Sequence, residues 1–225
     1  MIPLAGPATT PRRLVLLRHG RTEWNKVGKA QGHANISLDE VGVLQARRAA
    51  PLLASYRPAF VWSSDLARAR ETAQEIVALT GQQLVLDKRL REYDVGDRQG
   101  LTRSEFLTSF PEQYAAYSAG DEDVRVPGAE VTTEVRERML AVLGEAAEAV
   151  QPGDTGILVG HGASLRTGIL AFFGVPAQLR EMLAGMANCA WTVFEQHHRY
   201  GWQIVDYNAQ TLPEPVSLDD DPVQQ

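Results

Sequence analysis

Two apolar runs stop on the same dipeptide. Leu14-Val15-Leu16-Leu17-Arg18-His19-Gly20 and Gly156-Ile157-Leu158-Val159-Gly160-His161-Gly162 each place His-Gly where an extended segment ends. An imidazole at such a point offers a lone pair for nucleophilic attack or a metal, and it can carry a proton. The glycine that follows lets backbone approach a ligand. Arg18 stands beside the first histidine, and Arg68 lies early in the helix expected after Ser63-Ser64-Asp65. Two guanidiniums next to two imidazoles oppose a divalent cation and suit a phosphate dianion, which accepts paired Arg hydrogen bonds. His19, His161 and Glu92 have enough donor atoms for zinc, but Arg18 and Arg68 speak against it, and no metal ligand is assigned. His33, His197 and His198 have no such neighbours and read as structural histidines, as Arg70 reads as part of a solvated helix face.

The elements that must hold these residues alternate between strand and helix. Leu14–Leu17 suits a strand buried on both faces. Ser37 with Glu40 has capping-box spacing before a helix from Asp39 to Ala54. Phe60–Trp62 and Leu84–Leu86 read as strands, and the helix Leu66–Thr80 closes at Gly81. Thr102 with Glu105 starts a further capped helix, and Val135, Met139, Val142, Ala146 and Val150 recur at helical spacing. Gly156–Val159 is the next strand, followed by a helix over Ser164–Phe173. Ala190–Phe194 and Trp202–Tyr207 flank Gly201 as a hairpin at the sheet edge. Such alternation predicts an α/β fold with a mostly parallel central sheet and helices on both faces. Open parallel sheets form sites beyond the carboxyl ends of their strands, so neighbouring strands would bring His19 and His161 together.

Length and composition set the outer bounds. The chain has 225 residues, 44% hydrophobic and 22% charged, enough for one cored domain. That domain is expected over 13–210, after a flexible lead-in (1–12) and before an acidic, proline-bearing disordered tail (211–225). Residues 104–128 read as a helical insertion over the active site. Lys and Arg number 22 against 28 Asp and Glu, a net charge of -6, which argues against a nucleic-acid partner. The single Cys189 excludes an internal disulfide and a Cys-cluster metal site. Met1–Thr10 lacks the apolar stretch of a signal peptide, and no run is long enough for a membrane helix, so the chain is read as cytoplasmic.

Arg18-His19-Gly20-Arg21-Thr22-Glu23-Trp24-Asn25 resembles the signature of the histidine phosphatase superfamily, the phosphoglycerate-mutase-like proteins. Ser64 to Thr72, Leu90 to Gly96 with Gln99-Gly100-Leu101, and Gly160-His161-Gly162 resemble its other blocks in order. The likeness extends from about Arg13 to Phe173. It implies a phosphoglycerate-mutase-like fold and a role for each matched residue. His19 is then the nucleophile that becomes phosphorylated. Arg18, Arg68 and His161 form the phosphate clamp, joined by Asn25 and the Gly162 backbone N–H. Thr22 braces the loop, and Gln31 with Gly32 walls the substrate side. Glu92 is the implied proton donor, with Glu130 a rival because Pro127-Gly128-Ala129-Glu130 resembles the family's Gly-Glu-Ser turn, Val131 standing in place of the serine.

The resemblance implies a reaction without cofactor. Neutral His19 attacks phosphorus in line while its other ring nitrogen donates to a backbone carbonyl. Nearby Arg charges disfavour imidazolium and stabilise the transferring phosphoryl. Glu92 protonates the leaving alkoxide and then activates water. Glu92-Tyr93-Asp94-Val95-Gly96 departs from the Glu-Arg-His-Tyr-Gly of the cofactor-dependent mutases, and no cations for a second phosphate are identifiable. Hydrolysis of a small phosphomonoester is the reading, with a mutase or bisphosphatase and a non-catalytic phospho-ligand module as the alternatives. Gly185 to Thr192 and Asp206 to Ala209 resemble the actinobacterial phosphatases of glucosyl-3-phosphoglycerate, which implies a sugar phosphate or (glucosyl-)phosphoglycerate as substrate. The family also suggests a homodimer.

Overall fold

The computed structural model describes residues 10–121 and 125–211. The lead-in and acidic tail expected from the sequence therefore lie outside the described residues, apart from Thr10–Arg12 and Thr211. At Arg12 the chain has already joined the sheet, its carbonyl accepting from Gln196 N at 2.9 Å.

Six strands form one sheet in the order β3-β2-β4-β1-β5-β6. They are β1 (Arg13–Arg18), β2 (Phe60–Ser63), β3 (Leu84–Leu86), β4 (Thr155–Gly160), β5 (Trp191–His197) and β6 (Gly201–Ala209). The pairs β1/β4, β2/β4 and β2/β3 are parallel, whereas β1/β5 and the β5/β6 hairpin are antiparallel. The helices are α1 (Glu23–Lys26), α2 (Glu40–Ser55), α3 (Ala67–Thr80), α4 (Arg103–Ser109), α5 (Pro111–Ser118), α6 (Thr132–Ala149) and α7 (Gly162–Phe172).

Strand alternation explains the layers. Successive side chains of β1 and β4 point to opposite faces, and both faces are apolar. Leu14, Leu16 and Leu158 pack with Met139, Leu143 and Ile169 of α6 and α7. Val15, Leu17, Ile157 and Val159 pack with Ala46, Leu53 and Ile76 of α2 and α3. Each fully buried Leu or Ile contributes about 1.5–3 kcal/mol by leaving water, so both helical layers are firmly attached to the middle strands.

The helix ends agree with the sequence with one correction. Thr102 Oγ1 accepts from Glu105 N while Glu105 Oε2 accepts from Thr102 N, the expected capping box of α4. Gly81 closes α3 at φ 69°. The cap of α2, however, is Asp39 rather than Ser37. Its carboxylate accepts from Gly42 N at 2.8 Å and from Arg21 Nε at 2.9 Å, so the ion pair anchors the helix start two residues later. Residues 104–128 do contain short helices. In α4 and α5 together, Phe106 alone is buried.

Candidate active site

The sheet order answers where the two His-Gly dipeptides meet. β1 and β4 are adjacent, parallel and in register, with Arg18 opposite Gly160. His19 and His161 are the next residues of each, and their rings lie 5.1 Å apart. β2 is the other neighbour of β4, so Ser64 and then Arg68, on the first turn of α3, arrive at the same end. Arg18, His19, Arg68 and His161 are 2, 3, 0 and 0% exposed. Four large polar side chains are thus packed as core, which requires hydrogen-bond partners within the protein.

Hydrogen bonds decide how each side chain points. His19 Nδ1 lies 2.7 Å from the Gly20 carbonyl, an acceptor only, so Nδ1 carries the proton and the lone pair sits on Nε2. Burial lowers the His19 pKa well below 6.5, and the charges of Arg68 and Arg18 lower it further against the Gly20 carbonyl. Neutral imidazole is the resting form. Arg68 donates from Nε to His161 Nδ1 at 3.1 Å, and from its terminal nitrogens to Ala34 O and Gly32 O at 2.8 Å each. Because an arginine only donates, His161 accepts on Nδ1 and turns Nε2–H toward Ser64 Oγ at 2.9 Å. Burial and the Arg68 charge keep His161 neutral too. Burial also draws Arg68 down to about 10, which leaves it cationic at neutral pH. Arg18 donates to the Met186 carbonyl.

The loop after β1 completes this end. Thr22 caps α1 and gives both its N–H and its hydroxyl to Asn25 Oδ1, each at 3.1 Å. With that oxygen engaged, the Asn25 amide presents its NH2 as a donor. Asn188 Nδ2 ties the His19 carbonyl (3.1 Å) to Asn25 Oδ1 (3.4 Å). Both glycines are closely approached by protein neighbours. A Cβ on Gly20 would lie 2.5 Å from the Gly42 carbonyl at the start of α2, and one on Gly162 would lie 3.2 Å from Arg18 Nε.

A cavity of about 1240 Å³, its open mouth included, spreads from this cluster. Arg18, His19, Asn25, Gln31, Gly32, Arg68 and Glu92 line it, together with Glu130. His161 and Gly162 stand behind the wall. The two carboxylates differ sharply in their partners. Glu92 is 6% exposed and accepts from Tyr93 N, Ala163 N and Ser164 N at 2.8–3.1 Å, the last two from the first turn of α7. Glu130 accepts from Arg138 Nε and Nη2 at 2.9 Å and from Asp94 N at 2.8 Å. Burial raises the Glu130 pKa, but the Arg138 bonds and charge outweigh it and hold the carboxyl below its ordinary range. The Arg138 pairing thus favours the ionised form of Glu130. Cys189 is no rival nucleophile, since burial pushes its thiol up to about 12.

Sequence reasoning missed Arg138, Asn188 and the support Ser64 gives His161. His33, read as structural, bonds a backbone carbonyl, that of Glu92, through Nε2 at 2.9 Å. Only Ser64 carried a usable signal, its place directly after β2 beside β4. Among the described residues, no group of three His, Cys, Asp or Glu could hold a metal, and no helix is long and apolar enough to cross a membrane.

The family model for the histidine phosphatase superfamily (branch 1) matches residues 14–210. Glucosyl-3-phosphoglycerate phosphatase of Mycolicibacterium vanbaalenii is 36% identical over 198 residues, 84% of this chain and 86% of that protein. Phosphoglycerate mutase-like protein 4 of Arabidopsis thaliana is 39% identical over 157 residues, 68% of each. A solved structure of mycobacterial glucosyl-3-phosphoglycerate phosphatase complexed with VO3 is 33% identical and superposes with a TM-score of 0.80, covering 88% of this chain and 100% of that one. The chain belongs to the histidine phosphatase superfamily and is a phosphatase.

Proposed function

We propose that the chain hydrolyses a small phosphomonoester through a phosphohistidine formed on His19, without a metal. The observation that carries this reading is the orientation of His19, whose Nδ1–H is held by the Gly20 carbonyl while the ring stays neutral beside two arginines. The Nε2 lone pair attacks phosphorus, a P–N bond forms and the ester P–O bond breaks. Arg18 and Arg68, both buried side chains, bear the charge of the transferring group from fixed positions. His161 joins the clamp through the guanidinium it orients, and the Asn25 NH2 supplies a neutral donor.

In its general-acid role Glu92 carries a proton when the ester P–O bond breaks. It gives that proton to the departing alkoxide. As a carboxylate it then draws a proton from water, whose oxygen attacks phosphorus and breaks the P–N bond. The ionised Glu130, fastened to Arg138, supports Glu92 in this role.

For the substrate we take a phosphorylated sugar acid of the glucosyl-3-phosphoglycerate type, the compound named for the mycobacterial relatives. The domain spans 13–210 on this reading, with 104–128 shaping the leaving-group end, and the enzyme acts in the cytoplasm as a homodimer. The central test is incubation with a phosphomonoester carrying labelled phosphate, followed by rapid denaturation. Acid-labile label on His19, absent from His19→Ala, is expected with chelator present. Full turnover by His19→Ala overturns the mechanism. Phosphate release from glucosyl-3-phosphoglycerate, compared with 3-phosphoglycerate, tests the substrate. Isomerisation of 3-phosphoglycerate without phosphate release points instead to a mutase.

A further inference from the structure

We infer that Arg138, on α6 and outside the phosphate clamp, is a positioning residue for the proton-transfer step and acts by fixing the loop that carries Glu92. This rests on the reading of Glu92 as the proton donor. The guanidinium has five N–H groups, and all five have acceptors. Nε goes to Glu130 Oε1 (2.9 Å), Nη1 to the carbonyls of Arg89 (2.8 Å) and Arg91 (2.7 Å), and Nη2 to the Glu92 carbonyl and Glu130 Oε2 (2.9 Å each).

The geometry has a physical cause. Residues 88–90 make a single 3-10 turn, after which the chain straightens. The carbonyls of Arg89, Arg91 and Glu92 all reach the one guanidinium, and a planar cation holds such dipoles together that would otherwise repel. Glu92 is thereby held at both ends. Its carboxylate sits on the α7 N–H groups and its backbone carbonyl on Arg138 and His33. Arg91 turns outward to Asp65 at 2.6 Å, which ties the same turn to the segment leading into α3. Glu130 keeps Arg138 flat by pairing with it and accepts from Asp94 N, so the chain on the far side of Glu92 is fixed as well. Lysine offers three N–H groups from one point and cannot reach all these acceptors.

A proton donor must lie within hydrogen-bond reach of the leaving oxygen, so loosening this loop penalises esters that need the proton. Arg138→Gln and Arg138→Lys are compared on 3-phosphoglycerate and on nitrophenyl phosphate, whose leaving group scarcely needs one. For Arg138→Gln, kcat is expected to fall about 10- to 100-fold on 3-phosphoglycerate and less than about threefold on nitrophenyl phosphate, with KM for both nearly unchanged. Arg138→Lys should fall between wild type and Arg138→Gln. In a Glu92→Gln background the same change should add less than about threefold, because the two residues act on one step.

Equal losses on the two esters, or losses that multiply in full with Glu92→Gln, overturn the inference and leave Arg138 a purely structural tie. Should Arg138→Gln fail to fold, Glu130→Gln decides. It keeps the carbonyl contacts but frees the guanidinium plane, and it should produce the same ester-dependent loss at smaller size; an ester-independent loss rejects the idea. Glu92→Gln alone tests the underlying reading. If it slows both esters equally, the proton donor has been misassigned, whatever Arg138 does.

Discussion

The cavity has two ends built by different means. At the phosphate end, Arg18, His19, Arg68 and His161 are at most 3% exposed and rise directly from the sheet or its adjoining helix. At the cover end, α4 and α5 contribute one buried side chain, Phe106, and leave Leu107 48% exposed. There the side chains are organised by aromatic contacts and by Arg98, whose guanidinium lies 4.6 Å from the Phe106 ring centre and 5.2 Å from that of Tyr117. Rigid attachment suits charge stabilisation, in which donors must already be in place when the transition state forms. A thinly attached cover suits recognition of the variable part of an ester. Chemistry and selectivity should therefore separate under mutation.

The separation is broken or sustained most sharply at His19. His19→Ala is expected to lower kcat by about 10⁴-fold or more on every ester alike, since it removes the nucleophile itself. An ester-dependent loss would show that another group attacks. Next in size is Glu92→Gln, expected to cost about 10²- to 10⁴-fold on 3-phosphoglycerate but less than about tenfold on nitrophenyl phosphate. Steady-state kinetics on the two substrates read both predictions directly.

The same burial makes the phosphate end costly to keep in acid. His19 and His161 have folded-state pKa values well below 6.5, lowered first by burial and then by Arg68. Below pH 6.5 the unfolded chain binds protons that the folded chain refuses. Stability is therefore full above that pH and falls as pH drops, by about 1.4 kcal/mol per pH unit for each histidine. Asp65, Asp87 and Glu130 have depressed pKa values, so their share is lost only in a more acid window, below about pH 4. Urea midpoints between pH 5 and 6.5 should thus slope steeply in wild type and less steeply in His161→Gln. An unchanged slope would mean that the folded site accepts the proton.

Much of the phosphate end was legible because strand and site coincide there. An apolar run names its own strand, and the residue just after it names the site, so Arg18, His19 and His161 stood out. Arg68 needed only the neighbouring imidazoles to be noticed. Arg138 and Asn188 could not be found that way. Their partners are backbone carbonyls of chain segments distant in sequence, and a carbonyl has no residue identity to read. Ser37 and Asp39 show the same limit at short range: either spacing suits a helix start, and the Arg21 ion pair, visible only in three dimensions, selects Asp39. The glycines after the histidines were legible as special positions, but their close packing against Gly42 and Arg18 is tertiary and could not be read. At the cover, the Thr102–Glu105 box was local and readable, whereas α5 buries nothing and has no apolar stripe to announce it.

The smallest predicted effect tests the cover itself. Arg98 lines the cavity with its guanidinium beside both the Phe106 and the Tyr117 rings, which puts a cation at the wall of the leaving-group end. A leaving group bearing a carboxylate gains from that charge, and one without it does not. Arg98→Met is expected to raise KM for 3-phosphoglycerate about two- to fivefold, the effect of a partly exposed charge contact of about 0.5–1 kcal/mol. KM for nitrophenyl phosphate should hold, and kcat should hold for both, because methionine can keep the apolar contact with the two rings while the cation is lost. A matching rise in KM for nitrophenyl phosphate would mean that the cover's packing extends to the phosphate end, and that the two ends are one structural unit rather than two.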